Sequence, residues 1–345
     1  MQHPCLTRIA TLPRVALLSV PTPLENLPGL SKSMGRLVWI KRDDLGGVGA
    51  GGNKLRKLEF LLGAAEAEGV DTVLTTGGVQ SNHCRLTAAA AARCGLRCEL
   101  FLKGTKPASM GGNLLLNALF GAQTQFCDVP DYVAMNEIIS GRMGELAREG
   151  RRAMFIPLGG ARAEGTIGYI EAARELLAQL GHAAKPPFVA LAGGTGSTAA
   201  GLALGFALLS PEARLLVISA SWSADRLSSE IDRNYREAAE FLGIAPPSMP
   251  DLRIDDTQIG SGYTKPTNAA RDALHALARK DGILLDMTYT AKAMAGLRAG
   301  LQTHDAEEEE VIFLHTGGSP ELYARSETTL WSGRHDFSGD ANVGV

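Results

Sequence analysis

Residues 188–209 run for 22 positions without a charged side chain, and no other stretch limits the possible folds as much. The run is long enough to cross a bilayer. Five glycines interrupt it, three of them in Gly193-Gly194-Thr195-Gly196, and such breaks would leave backbone polar groups facing lipid. It therefore reads as a buried strand, a glycine loop and a helix. Similar apolar runs stand at 37–40, 72–75, 98–102, 154–157, 215–220 and 311–314. Helical spacing is found at 55–62, 86–93, 113–120, 133–148, 165–180, 198–209, 230–242, 268–279 and 291–300. Strands alternating with helices imply an α/β fold with parallel sheets and right-handed crossovers. Several strands end in a polar or glycine loop: Gly77-Gly78 with Ser81-Asn82-His83, Gly193 to Ser197, and Thr316-Gly317-Gly318. Ligands of open α/β sheets bind outside the carboxyl ends of strands, so these loops are expected to converge on one crevice.

The bulk properties narrow the function classes. At 345 residues the chain is comfortable for two domains. A net charge of -3 offers no electrostatic reason for a nucleic-acid or membrane partner. Five cysteines make no paired framework, and Cys94 and Cys98, with three residues between them, have no second pair to complete a zinc site. No metal is expected, and a reducing cytoplasm is the simplest setting. Residues 1–18 lack a charged segment followed by a continuous apolar core, so no signal peptide is expected. Pro21-Thr22-Pro23-Leu24 reads as a rigid extended entry, the acidic run 307–310 as a solvated loop, and the tail from Ser326 as peripheral.

The chemistry begins at Gly51-Gly52-Asn53-Lys54-Leu55-Arg56-Lys57-Leu58. Two glycines allow a close backbone approach, Asn53 is a suitable N-cap, and Leu55, Leu58, Leu61 and Leu62 share one helical face. Lys54 is thus expected in the first turn of a helix, where the dipole disfavours a second positive charge and eases deprotonation. The plain alternative is a surface turn opening a basic helix. Gly193-Gly194-Thr195-Gly196-Ser197-Thr198 follows a strand and opens a helix, so its backbone N–H groups form a nest for an anion. No Gly-Lys-Ser/Thr follows, and the glycine spacing is not that of a dinucleotide fingerprint. A reactive lysine combined with a monophosphate site suggests pyridoxal phosphate, with the lysine bonding the aldehyde and the loop holding the phosphate.

On these residues, with Lys41-Arg42-Asp43-Asp44, Gln80-Ser81-Asn82-His83, the segment 286–292 and His315-Thr316-Gly317-Gly318, the chain resembles a known family from about Pro21 to about Tyr323. It is similar to the D-cysteine desulfhydrase and 1-aminocyclopropane-1-carboxylate deaminase family of fold type II pyridoxal-phosphate enzymes. The resemblance implies a two-domain, three-layer αβα architecture with mainly parallel sheets. It places 1–46 plus 163–345 in a large cofactor-binding domain and 47–162 in a small one, with the cofactor between them, in a cytoplasmic homodimer acting on a small amino acid. Lys54 matches the cofactor-bonding lysine. Asn82 matches the contact to the ring hydroxyl, Ser81 a serine at the substrate carboxylate, with His83 beside it. Tyr263 and Tyr289 match two substrate-side tyrosines. The phosphate and ring contacts fall on Asn53, Gly193, Gly194, Thr195, Gly196, Ser197, Thr198, Thr290 and Thr316.

The ring-opening deaminases carry glutamate after the tyrosine matching Tyr289 and lack the threonine of His-Thr-Gly-Gly. Thr290 and Thr316 here resemble the desulfhydrase side. A threonine at the pyridine nitrogen makes a weaker electron sink, which suits β-elimination to a 2-oxo acid, ammonia and a leaving group such as sulfide. The family's Gly-Tyr-Gly is Gly262-Tyr263-Thr264 here, followed by Lys265, and Cys84 and Trp222 are further departures. Lys265 is a candidate for meeting an acidic substituent, as in a cysteate sulfo-lyase. A non-catalytic binding protein on the same fold is the remote alternative.

Overall fold

The computed structural model describes residues 4–181, 185–303 and 310–326. Residues 307–309 of the acidic run and the tail beyond Ser326 lie outside the described residues. Ten strands are described: β1 (Leu24–Asn26), β2 (Val38–Arg42), β3 (Thr72–Gly78), β4 (Arg97–Lys103), β5 (Gln123–Cys127), β6 (Ala153–Ile156), β7 (Phe188–Gly193), β8 (Arg214–Ser219), β9 (Asp251–Asp255) and β10 (Val311–His315). They form a six-stranded sheet in the order β1-β2-β10-β7-β8-β9 and a four-stranded sheet in the order β5-β4-β3-β6. Only β1 and β2 pair antiparallel; the other described pairs are parallel. The α/β class with mainly parallel sheets is thus as expected.

Both sheets are covered on both faces, which is why their strands carry apolar residues on either side. In the large sheet Val189, Leu191, Leu215, Val217, Ile312 and Leu314 pack into one core with the helices Ala163–Leu180 and Ser197–Leu209. Ala190, Ile218, Val311 and Phe313, one register step away, pack into a second core with the helices Asn268–Asp281 and Thr290–Thr303. The small sheet repeats the arrangement. Val73, Leu100 and Leu102 face the helices Lys54–Ala67 and Asn82–Arg93, and Leu74 and Phe101 face the helix Tyr132–Arg148.

Some elements lie beyond the sequence reading. The edge strands β5 and β9, with sequences QTQFC and DLRID, carry too few apolar residues to register as buried runs. The extended entry continues into β1, and short helices form at Pro4–Ala10 and Pro28–Met34. The helix expected at 230–242 runs from Ala224 to Phe241, because Ser223 caps it by accepting from the Arg226 N–H. Its first turn is polar and shows no apolar spacing.

A buried ion network joins the lysine helix to the large sheet. Arg56 donates to the Asp43 carboxylate at 2.8 and 2.9 Å and to Glu175 at 2.9 and 3.1 Å. Tyr169 and Thr22 donate to the same Asp43 carboxylate at 2.6 and 2.9 Å. Lys41 and Glu175 close the circuit. Burial opposes the charge on both acids, but the Arg56 guanidinium overcomes it and holds both below the ordinary carboxylate range.

Two outcomes follow. Removing one partner of a buried pair leaves an uncompensated charge, so Arg56→Met should cost about 3–5 kcal/mol in urea unfolding. Because the folded acids have depressed pKa values, their contribution is complete above the unfolded carboxylate range near about pH 4 and is lost as pH falls toward the folded values. The urea midpoint should therefore drop only below about pH 4 in the wild type. In Arg56→Met the buried Asp43 loses the cation that opposes its desolvation, so its folded pKa rises, and the destabilisation relative to wild type should shrink as pH falls and the carboxyl takes up a proton.

Candidate active site

Glycine geometry brings three loops together. Gly51 and Gly52 have φ of 66° and 133°. A Cβ on Gly51 would stand 1.9 Å from the Asp44 carbonyl oxygen, and one on Gly317 would stand 2.8 Å from the Gly52 Cα, so the lysine loop and the loop after β10 meet backbone to backbone. Asn53 then links the three loops. Its N–H donates to the Thr316 carbonyl at 3.0 Å, and its side-chain amide donates to Thr198 Oγ1 at 3.1 Å. The expected N-cap role is corrected by this geometry: Asn53 has helical dihedrals and its side chain makes no capping bond. The Arg85 guanidinium, buried beneath the loop, holds the Gly49 and Gly51 carbonyls.

These loops line a cavity of about 560 Å³ at the carboxyl ends of β3, β7 and β10. Lys54, the first residue of the helix Lys54–Ala67, faces it. Burial lowers the Lys54 pKa to about 8, while a hydrogen bond with Lys57 acts in the opposite direction. The helix start therefore positions the amine, but loss of water does most to weaken its hold on the proton. Lys57, one helical turn on, is the second buried amine. Burial and the neighbouring Lys54 charge push its pKa well down. Its Nζ donates to Ser197 Oγ at 2.5 Å and to the Gly159 carbonyl at 3.3 Å.

Ser81, Asn82 and His83 enter the cavity wall from the start of the helix Asn82–Arg93. Ser81 Oγ accepts from the Cys84 N–H at 3.2 Å, which leaves its proton to donate. Asn82 Oδ1 accepts from Asn113 Nδ2 at 2.8 Å, so its own amide N–H groups remain for a ligand. The Thr75 hydroxyl donates to the Ile156 carbonyl at 2.7 Å and therefore accepts from His83 Nε2–H at 2.8 Å. That assigns the neutral tautomer, in keeping with burial and two nearby lysines pushing the His83 pKa well down. On another wall the Tyr263 and Tyr289 hydroxyls meet at 2.9 Å. Burial and the Tyr263 phenol raise the Tyr289 pKa well above its ordinary value, so this hydroxyl is a proton donor at neutral pH.

Most expected site residues share this cavity: Asn53, Lys54, Ser81, Asn82, His83, Gly193, Gly194, Thr195, Gly196, Thr198, Tyr263, Tyr289 and Thr316. Two do not line it. Ser197 is fully buried behind the loop, bonded to Lys57. Thr290 is fully buried, and its hydroxyl donates to Asp286 Oδ1 at 2.7 Å and accepts from the Asp286 N–H at 2.8 Å. The expectation of Thr290 at the ring is corrected, because Asp286 takes up its hydroxyl and Thr316 lines the cavity instead. Lys265 is exposed and does not line the cavity. Cys84 lies in the core beneath Ser81, its thiol pushed up to about 12 by burial. Trp222 does line the cavity, with the Arg226 guanidinium 4.2 Å above its ring. Arg226, Lys103 and Tyr132 are lining residues the motifs did not indicate, and the role of Lys57 was not indicated either, although its spacing from Lys54 puts the two on one helical face.

The residues present suit a phosphate-bearing cofactor. The Thr195 hydroxyl is buried in the glycine loop with no hydrogen-bond partner among the described residues. A Cβ on Gly159 would stand 2.7 Å from it, so the 158–160 turn needs glycine to close over the loop. Backbone N–H groups at the start of the helix Ser197–Leu209 supply positive potential, and the Lys57 amine braces the loop through Ser197. Among the described residues no cluster of acidic, histidine or cysteine side chains could hold a metal, and no helix is long and apolar enough to cross a membrane.

The family described as pyridoxal-phosphate dependent enzyme matches residues 15–317. The chain belongs to this family. It is 40% identical over 326 residues to the D-cysteine desulfhydrase of Klebsiella pneumoniae (strain 342), covering 92% of this chain and 98% of that relative. The D-cysteine desulfhydrase of Salmonella typhi is 39% identical over the same length. A crystal structure of an ACC deaminase homologue, 36% identical, superposes with a TM-score of 0.87 over 96% of this chain and 99% of that one. Threonine deaminase isoform 2 from Solanum lycopersicum, at 16% identity and a TM-score of 0.66 over 91% of this chain and 83% of its own, shares the fold. The chain is a pyridoxal-phosphate-dependent enzyme of fold type II.

Removing the unpartnered hydroxyl while keeping its volume tests the phosphate site. A hydrogen bond to a charged group contributes about 1.5–3 kcal/mol. Thr195→Val should weaken pyridoxal phosphate binding about 10- to 100-fold, measured by equilibrium dialysis, with little change in the melting temperature of the cofactor-free protein. Unchanged affinity would place the phosphate elsewhere.

Proposed function

We propose that this enzyme eliminates the β-substituent of a small amino acid, with D-cysteine as the substrate and pyruvate, ammonia and sulfide as products. The observation that carries the reading is the buried Lys54 amine, with its pKa lowered to about 8, facing the same cavity as Ser81, Asn82 and Tyr289. The names of the two bacterial relatives support the substrate. Bound pyridoxal phosphate supplies an electron sink conjugated to the substrate amine. Lys54 would hold the cofactor through its aldehyde, using the unprotonated amine that burial favours. The same amine, with its pKa lowered to about 8, would be the group that takes the Cα proton. Ser81 donates to the substrate carboxylate, and Asn82, its amide fixed by Asn113, donates to the ring oxygen. The glycine loop, braced from behind by the Lys57–Ser197 bond, would hold the phosphate, and the phenol of Tyr289 would donate to the departing sulfur. One water enters overall, so D-cysteine and water yield pyruvate, ammonia and hydrogen sulfide.

The expected division into 1–46 plus 163–345 and 47–162 is consistent with the two sheets, since the four-stranded sheet uses only residues between 72 and 156. A homodimer in the cytoplasm is carried over from the family resemblance. The thiols of Cys84, Cys94, Cys98 and Cys127 agree with a reducing setting.

A second reading, an acidic β-substituent such as a sulfonate, has a specific observation in its favour. Lys265 lies away from the cavity, but Arg226 and Lys103 both line it. Arg226 makes no ion pair with any described residue and is held over Trp222.

A panel of D- and L-amino acids assayed for 2-oxo acid and ammonia separates the readings. D-cysteine should rank first, with stoichiometric sulfide. Preference for cysteate, reduced at least tenfold in Arg226→Ala, would establish the second reading, and ring opening of 1-aminocyclopropane-1-carboxylate would overturn both. Lys54→Ala should abolish turnover, and borohydride reduction of the loaded wild type followed by peptide mapping should label Lys54. A label on Lys57 would refute the assignment.

A further inference from the structure

Tyr263 sits on an irregular segment, 256–266, between β9 and the helix Asn268–Asp281. The segment has little internal structure: Gly262 N–H to Ile259 O at 3.4 Å and Lys265 N–H to Gly262 O at 3.2 Å are long bonds. Tyr263 is 37% exposed, yet its hydroxyl meets that of Tyr289 at 2.9 Å. Two cations from outside the segment account for this.

Lys292 lies three residues beyond Tyr289 and is fully buried. Its Nζ donates to the Ile259 carbonyl at 2.8 Å, the Gly262 carbonyl at 3.1 Å and the Ala220 carbonyl at 3.3 Å. Burial lowers its pKa, and among the described residues no carboxylate hydrogen-bonds it. Arg325 holds the other side. Its Nη1 donates to the Thr264 carbonyl at 2.9 Å, and its Nη2 donates to Thr288 Oγ1 at 3.0 Å and to Glu321. Arg325 therefore ties the residue after Tyr263 to the residue before Tyr289. The guanidinium fork allows both bonds at once, which a single ammonium would not reproduce.

Thr264 explains why such a tie is needed. Its φ is +63°, a left-handed conformation that β-branched side chains rarely adopt. Left alone, the residue favours an extended backbone, which would swing Tyr263 away from the cavity. Asp286 supplies the matching restraint on the other tyrosine by accepting the N–H groups of Thr288, Tyr289 and Thr290 at 2.8–3.0 Å.

We propose that Arg325 and Lys292 are positioning residues that clamp the strained segment around Tyr263 onto the Tyr289 turn, and so set how tightly the substrate is held. The proposal rests on the reading that this cavity takes an amino acid, but not on which β-substituent departs. Three measurements on the holoenzyme test it. Amide exchange of peptides covering 256–266, without substrate, should quicken at least tenfold in Arg325→Lys and in Lys292→Met, while the helix Lys54–Ala67 keeps its protection. Unchanged exchange in both folded variants would overturn the clamp.

The second measurement is the dissociation constant of D-alanine, which cannot eliminate, from the change in cofactor absorbance. Arg325→Lys should raise it about tenfold, and the same substitution in a Tyr263→Phe background should add less than twofold. Additive losses would mean that Arg325 acts on general stability and not through Tyr263. Third, Thr264→Gly, placed in the Arg325→Lys background, should recover most of the lost D-alanine affinity by relieving the left-handed strain; no recovery would contradict the strain argument. If D-cysteine is not turned over by the wild type, the elimination reading fails while these outcomes still decide the clamp.

Discussion

The Arg56 guanidinium is the fixed point of the structure. It lies on the helix that begins with Lys54, and its partners Asp43 and Glu175 come from the end of β2 and from the helix Ala163–Leu180. A buried cation bound by two acids and a threonine, with a tyrosine donating to one of the acids, has one workable geometry, because each missing bond would leave a desolvated charge. The helix therefore cannot rotate or slide along the large sheet. Asp43 also accepts the Gly52 N–H through its backbone carbonyl at 2.9 Å, so the ion network and the glycine turn before Lys54 are set together.

That anchoring gives the lysine its chemistry. The first residue of a free helix would keep its ammonium in water. Here the turn is pressed between the loop after β10 and the loop after β7, and Lys54 loses its water. The cost falls on the charged form, so the amine comes within reach of neutral pH. Lys57 follows on the same face and turns toward Ser197, which links the cofactor-bonding helix to the loop suited to the phosphate. Asn53 makes the same connection from the other side through Thr198. Two adjacent residues and one a turn later thus span all three loops.

Much of this was legible in the sequence, and the reason is local. Strand–loop–helix order, the Lys54 helix and the glycine loop each follow from backbone requirements that glycine, apolar spacing and β-branched runs record directly. The resemblance to a family added Ser81, Asn82 and Tyr289, which the cavity does bring together. What was not legible depends on which way a side chain turns once packed. Thr290 follows Tyr289 in sequence but turns inward, because Asp286 one helical turn back captures its hydroxyl. Lys265 follows the Tyr263 loop yet points to solvent, whereas Arg226, on a polar first turn with no apolar signal, lines the cavity. β5 and β9 were missed because edge strands need few apolar residues.

The chemistry turns on a buried Lys54 amine whose pKa is lowered to about 8, and the rate at which cofactor-free protein captures pyridoxal phosphate measures this directly. Only the unprotonated amine attacks the aldehyde, so the rate should rise with pH through an inflection near about 8, the value to which burial lowers this lysine, and then level off. A rate that keeps climbing toward the ordinary lysine value of 10.5 would show a solvated amine. In that case the packing of the three loops around Lys54 would not be what activates it.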